Sequence, residues 1–141
     1  MKFAFDTNII LDALVHREGW EAAERLMLAV GDEEIEGVVS ANTITDIYYI
    51  SRKRLGDQEA RKAIWSLMSA FEVAGVDERI CREALALPMN DFEDAVLAVA
   101  VKHTEANFIV TRDEEFIASE HTPVFAISPQ KAIELIEGEK E

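Results

Sequence analysis

Short apolar runs alternate along this chain with longer segments in which apolar residues recur every three or four positions. The short runs predict strands and the longer segments predict helices, because side chains repeat every two residues in a strand and every 3.6 in a helix. The predicted strands are residues 2–5, 35–39, 71–74, 107–110 and 123–126. The predicted helices are 9–16, 20–30, 42–54, 58–70, 76–87, 91–103, 116–118 and 129–136.

Strands that alternate with helices or helix pairs are typical of a parallel sheet covered by helices on both faces. We therefore predict an α/β fold: a three-layer α/β/α sandwich with a mostly parallel sheet of about five strands. The helix at 91–103 is apolar on nearly all sides, which predicts that it is buried. The pattern fits a single domain at 1–136, followed by a frayed acidic tail at 137–141.

Composition restricts the class of protein. The apolar fraction of 49% and the charged fraction of 30% are those of a soluble globular protein. No apolar run approaches the ~20 residues that cross a bilayer, and no secretory signal pattern is present. The single cysteine, Cys81, excludes an internal disulfide and is expected to pack as a small apolar residue. We expect a cytoplasmic protein without a membrane partner.

The charge balance is strongly acidic. There are 28 acidic and 14 basic residues, so that the formal net charge is −14. Most of the surface should therefore repel nucleic acid. Binding of a nucleic acid would need a local basic patch or metal ions held in an acidic cleft, whereas a basic protein partner would need neither.

Several aspartates fall where predicted strands give way to helices. Asp6 follows the first strand, Asp113 follows the fourth, and Asp46 lies one turn into the helix after the second. Asp91 and Asp94 begin the buried helix. Because ligands of an open parallel sheet bind beyond the carboxyl ends of its strands, these carboxylates are expected to face one crevice.

Each of these aspartates also has a purely structural interpretation. Asp6 and Asp91 are favoured as helix N-caps, and Asp94 fits the third position of a capping box. Asp113 could stabilise a turn or cap the next short helix. Asp46 is harder to explain in this way, because it lies on a largely apolar helix and no cation follows four residues later.

Function is favoured by the group rather than by any single member. Carboxylates that share a cleft repel each other, and cations or protons must neutralise them. Oxygen ligands without histidine or cysteine suit Mg²⁺ or Mn²⁺. Two such ions ~3.5–4 Å apart activate water and stabilise the leaving oxygen of a phosphodiester, so metal-dependent phosphodiester hydrolysis is the natural hypothesis.

Four motifs in the chain are similar to those of PIN-domain proteins, a family of metal-dependent ribonucleases that includes toxins of toxin–antitoxin pairs. They are FDTNIILD (5–12), SANTITDIYYISRK (40–53), DFEDAVLAVA (91–100) and IVTRDEEF (109–116). The resemblance covers about residues 2–136. It implies a metal-dependent endoribonuclease, with RNA as the substrate, an antitoxin protein as a partner if the chain is a toxin, and a homodimer as the assembly.

The same resemblance assigns roles to individual residues. Asp6, Asp94 and Asp113 would be metal ligands, and Asp46 would complete the catalytic set where many relatives have glutamate. Glu115 is an alternative to Asp113. The accessory residues implied at the site are Asn8, Asp91, Thr111 and Glu115. The residues expected to contact RNA are Arg52, Lys53, Arg54 and Arg112, of which the first three equally fit a solvated helix end.

Two other α/β families fit the sequence less well than the PIN domain, and one non-catalytic function is an alternative. A haloacid-dehalogenase-type phosphatase needs a second aspartate where this chain has Asn8, and a receiver domain needs its phosphorylated aspartate on a middle strand. A catalytically inactive PIN-like scaffold that binds a partner protein is compatible with the −14 charge and with aspartate at position 46. Such a scaffold predicts no metal-dependent activity.

Overall fold

The computed structural model describes residues 1–140, and within them five strands form one sheet. The strands are β1 (Lys2–Phe5), β2 (Glu36–Ser40), β3 (Glu72–Ala74), β4 (Phe108–Val110) and β5 (Ala126–Ile127). Their order is β3-β2-β1-β4-β5, and every neighbouring pair is parallel. The predicted parallel five-stranded sheet is confirmed.

Eight helices lie within the same residues and cover the sheet. They are α1 (Thr7–Val15), α2 (Trp20–Gly31), α3 (Ala41–Leu55), α4 (Asp57–Ala70), α5 (Glu78–Leu85), α6 (Phe92–Lys102), α7 (Glu114–Ala118) and α8 (Pro129–Glu139). None of these helices is long and apolar enough to span a membrane.

Two apolar cores lie on opposite faces of the sheet, because successive strand residues point to opposite sides. Phe3 and Phe5 of β1 pack with residues of α1, α2 and α8, whereas Ala4 between them packs with residues of α5 and α6. Every residue of α6 from 95 to 101 is buried, as the apolar pattern predicted. This arrangement gives the three layers expected from the sequence.

The predicted start of the last strand and the predicted end of the last helix were wrong. Strand β5 begins at Ala126 rather than at Pro123, because its ladder pairs Ala126 with Ile109, and proline has no N–H to donate. Helix α8 continues to Glu139, beyond the predicted end at 136. Glu137, in the first part of the predicted tail, pairs with Arg25 of α2 at 2.6 Å. Residue 141 of that tail lies outside the described residues.

Candidate active site

The chain reverses its direction of travel across the sheet between β1 and β4. From β1 it proceeds outward to β2 and β3, and it then returns to place β4 on the other side of β1. Crevices outside the carboxyl ends of parallel strands at such a switch point are where ligands bind in open α/β sheets. Asp6 directly follows β1, and Thr111, Arg112 and Asp113 directly follow β4, so these residues meet at the switch point.

An open cleft of about 470 Å³ lies at this position. All four aspartates predicted to be catalytic line it, together with the accessory Asp91 and Asn8 and with Arg112. The structure therefore places these side chains in one crevice. The full lining is Asp6, Thr7, Asn8, Asp46, Ile50, Asp91, Glu93, Asp94, Arg112 and Asp113.

Asp6 holds the N-cap position of α1, but its side chain makes no capping hydrogen bond. Instead, the hydroxyl of Thr111 donates to Asp6 Oδ2 at 2.8 Å. The same hydroxyl oxygen accepts the backbone N–H of Asp113 at 3.1 Å. Thr111 is fully buried, and it therefore ties the acid that follows β1 to the loop that follows β4.

Asp91 and Asp113 do cap helices, as their structural interpretation predicted. Asp91 Oδ1 accepts the backbone N–H of Asp94 at 3.0 Å, and Asp113 Oδ1 accepts that of Glu115 at 2.9 Å. Each cap uses one oxygen of the carboxylate and fixes its orientation. Capping and a place in the cleft are therefore compatible for both residues.

A buried set of hydroxyl groups supports the floor of the cleft. Thr43 Oγ1 lies 3.0 Å from both Thr7 Oγ1 and Ser40 Oγ. These contacts join the start of α1, which follows Asp6, to the start of α3, which carries Asp46. The sequence analysis missed this network, whose only signal was three hydroxyl residues at the starts of two helices.

Electrostatic repulsion in the cleft is strong. Burial, and after it the charges of the neighbouring carboxylates of Asp91, Asp6 and Asp113, together raise the pKa of Asp94 to about 7. Burial also raises the pKa of Asp6, although the hydrogen bond from Thr111 opposes this shift. The cleft therefore favours the uptake of protons or of cations.

Glu93 is an acidic residue of the cleft that the sequence analysis missed. Burial raises its pKa, and the charges of Asp46 and Asp91 and a hydrogen bond to Asp46 add to the shift. The helix dipole favours an acid in the first turn of any helix, so the position of Glu93 in the sequence did not by itself indicate a place in the cleft. The signal was the run of three acids within four residues at 91–94.

Arg112 lines the cleft, but its guanidinium is engaged by a buried carboxylate. Its Nε and Nη2 atoms donate to the two oxygens of Asp12 at 2.8 and 3.1 Å. The Asp12 side chain is 3% exposed and that of Arg112 is 52% exposed. Arg112 can therefore contact RNA, as predicted, only while its guanidinium also pairs with Asp12. This ion pair fixes the loop before Asp113.

The remaining predicted residues lie around the cleft. Glu115 faces an adjacent pocket, where Asn90 Nδ2 donates to it at 2.6 Å. Arg17 donates to Asn8 at 3.0 Å, which adds a cation that the sequence analysis missed. The predicted basic run does not line the cleft: it is exposed at the end of α3, and it comprises Arg52, Lys53 and Arg54.

The donor chemistry of the cleft suits a hard divalent cation, because its acidic groups are all carboxylates. In residues 1–140, no three histidine, cysteine, aspartate or glutamate side chains converge closely enough to hold one ion. Metal binding would therefore require the carboxylates to move closer together. Asp6, Asp94 and Asp113 stay the predicted ligands of such an ion.

Comparison with known proteins assigns the chain to a family. A family model described as the PIN domain matches residues 2–115. The chain belongs to the PIN-domain family. PIN domains are nucleases as a family, which agrees with the acidic cleft. A comparison with curated protein sequences finds no significant match.

Solved structures of PIN-domain toxins share the fold at low sequence identity. A toxin–antitoxin complex from Klebsiella pneumoniae is 20% identical with a TM-score of 0.66, over 89% of this chain and 96% of that chain. VapBC2 from Rickettsia felis, bound to a DNA fragment from its promoter, is 15% identical with a TM-score of 0.65, over 91% and 98%. VapC20 from Mycobacterium tuberculosis, described as a sarcin-ricin loop cleaving toxin, is 14% identical with a TM-score of 0.65, over 86% and 98%.

Proposed function

We propose that this PIN domain is an endoribonuclease that hydrolyses RNA phosphodiester bonds with Mg²⁺ or Mn²⁺. The observation that carries the proposal is the cluster of carboxylates at the β1/β4 switch point, where the pKa of Asp94 is raised to about 7. A fold that keeps so many acids in one crevice needs a cation there when the site works.

Asp6, Asp94 and Asp113 would hold the metal, and Asp46 and Glu93 would form the acidic wall beside them. A bound ion would supply Lewis-acid chemistry, namely activation of water and neutralisation of charge on the leaving oxygen. The protein's own part is to orient Asp6 through Thr111. An acidic side chain of the cleft that does not hold the metal would accept the proton of the attacking water.

RNA must approach a chain with a net charge of −14, so local cations matter. Lys53 lies seven residues after Asp46 on α3, which places it two turns further along the same side of the helix. Arg54 is beside it, and Arg112 lies in the cleft itself. We propose that these three residues guide the phosphate backbone, whereas Arg52 stacks over the rings of two tyrosines.

A regulated toxin is the biological role that the related structures favour, because several of them are complexes with antitoxins. We propose that an antitoxin protein binds this chain and that the chain forms a homodimer. A partner-binding scaffold without activity is the alternative. It is compatible with the net charge of −14 and with aspartate rather than glutamate at position 46.

Cleavage of RNA by the purified protein tests the proposal. Structured and unstructured RNAs are incubated with Mn²⁺ or Mg²⁺, with EDTA, and with the variant Asp6→Asn. We expect cleavage that EDTA and Asp6→Asn both abolish. A matched control is Asp32→Asn, which removes an exposed acid at the end of α2 and should cleave normally. Cleavage that persists in EDTA or in Asp6→Asn would contradict the proposal.

A further inference from the structure

A second pocket adjoins the acidic cleft and shares a wall with it. Asp91 and Asp94 line both spaces, so a chain lying in the cleft can extend into the pocket. The pocket has a volume of about 260 Å³. This is below the range of about 300–1,000 Å³ that is typical of drug-sized ligands, so it suits a single planar group.

The lining of the pocket disfavours phosphate. It contains no lysine or arginine, and its one histidine, His121, is outnumbered by four carboxylates, those of Asp91, Asp94, Glu115 and Glu120. An anion would be repelled, whereas a neutral group that offers N–H donors would be accepted. Pro88 and Met89 add apolar surface against which a flat ring can pack.

The polar groups of the pocket include a donor and an acceptor placed side by side. Asn90 Nδ2 donates to Glu115 Oε1 at 2.6 Å, and both side chains are on exposed residues. A ligand that replaces this hydrogen bond meets an amide donor next to a carboxylate acceptor. Guanine is the base that offers two adjacent N–H groups for a carboxylate, beside a carbonyl oxygen that accepts from an amide.

We propose that this pocket binds one unpaired guanine of the RNA, next to the phosphate that lies in the cleft. Glu115 accepts from N1–H and N2–H of the base, and Asn90 donates to O6. The inference rests on the proposed function, because a base in the pocket determines the cleavage site only when the phosphate of the same RNA strand lies in the cleft. Glu115 then selects the sequence at the cleavage site, and Asp113 is the acid that faces the cleft.

Two measurements test this assignment independently. The first is NMR titration of the protein with guanosine, adenosine, cytidine and uridine, which needs neither metal nor cleavage. The second is cleavage of short single-stranded RNAs that carry every base at the positions flanking the cut. The variants are Glu115→Gln and Asn90→Ala, and the matched control is Glu114→Gln, an exposed neighbour that lines neither space.

We expect guanosine, and not the other nucleosides, to shift the signals of the pocket in the wild type and in Glu114→Gln. We expect cleavage to favour guanine at one flanking position by about ten-fold, the size of one good base contact. Glu115→Gln should lose both effects, and Asn90→Ala should weaken them. Equal shifts from all four nucleosides, no shift from guanosine, or a preference that survives Glu115→Gln would overturn the inference.

The outcomes also separate this inference from the proposed function. Guanosine binding without cleavage of any RNA would overturn the nuclease and leave the base pocket intact. Cleavage without a preference for guanine would overturn the base pocket and leave the nuclease intact. Loss of all cleavage in Glu115→Gln, with RNAs of every sequence, would make Glu115 part of the metal site and overturn its role as a base reader.

Discussion

Replacing Arg112 by methionine tests how far the buried Asp12 carboxylate depends on this arginine, its one side-chain partner among residues 1–140. The two side chains form two hydrogen bonds, at 2.8 and 3.1 Å, across the α1 helix and the loop after β4. The substitution keeps most of the length of the side chain and removes its charge. It leaves a carboxylate that is 3% exposed without the guanidinium that neutralises it.

The expected cost follows from this asymmetry in exposure. Breaking a buried ion pair by removing one partner costs about 3–5 kcal/mol, because the other charge remains desolvated. We expect Arg112→Met to lie near the lower end, at about 3 kcal/mol, since half of the arginine side chain was already in water. The reverse change, Asp12→Asn, leaves a guanidinium that water can solvate, and it should cost only about 1–2 kcal/mol.

Urea unfolding followed by circular dichroism measures both changes in metal-free protein. A matched control is Arg82→Ala, which breaks a fully surface pair with Glu78 whose side chains are 75% and 83% exposed. That change should cost less than about 1 kcal/mol. The double variant Asp12→Asn with Arg112→Met should cost less than the sum of the two single changes. Equal costs for Arg112→Met and Arg82→Ala would refute the reasoning.

Three further changes have defined outcomes. Because the folded state raises the pKa of Asp94 to about 7, it binds more protons than the unfolded state between about pH 4 and 7. As the pH rises from about 4 to 7 in EDTA, the free energy of unfolding should therefore fall by about 1–2 kcal/mol, after allowance for solvent screening. Asp94→Asn should make the free energy of unfolding less dependent on pH over this range. Gly37→Ala should cost about 1–3 kcal/mol in urea unfolding, since its Cβ would lie 2.6 Å from a buried aromatic ring, whereas Gly75→Ala meets open space and should be nearly neutral. Thr111→Val removes the donor to Asp6 and should lower thermal stability by about 1–2 kcal/mol; an unchanged melting temperature would contradict the role of that hydroxyl.

The sequence predicted the elements whose signals are local. Asp6 after β1 and Asp94 at the start of α6 follow from the alternation of strands and helices, and their shared crevice follows from a parallel sheet. The position of β5 depends on its pairing with β4, which no local pattern contains, and the prediction was therefore displaced. The pairing of Asp12 with Arg112 was missed for the same reason, because the two residues are 100 positions apart in the chain.

Side-chain direction was the second limit of the sequence. Asp113 and Glu115 are two positions apart, and the sequence left open which of them faces the cleft. The structure places Asp113 in the cleft and Glu115 in the neighbouring pocket, because Asp113 caps the short helix α7 and Glu115 lies within it. Glu93 was overlooked although it lies next to Asp94, since its proximity to Asp46 arises only where the start of α6 and the start of α3 meet at the cleft.

Isothermal titration of Mn²⁺ into the purified protein is the most direct test of the acidic cleft as a metal centre, because it does not depend on finding the right RNA. The wild type and the control Asp32→Asn should bind Mn²⁺ with the same affinity. Asp6→Asn and Asp94→Asn should weaken binding at least about ten-fold, because the loss of a residue that only supports a metal ligand already costs about that much. Absence of Mn²⁺ binding to the wild type, or unchanged binding to both cleft variants, would contradict the assignment and favour the partner-binding scaffold.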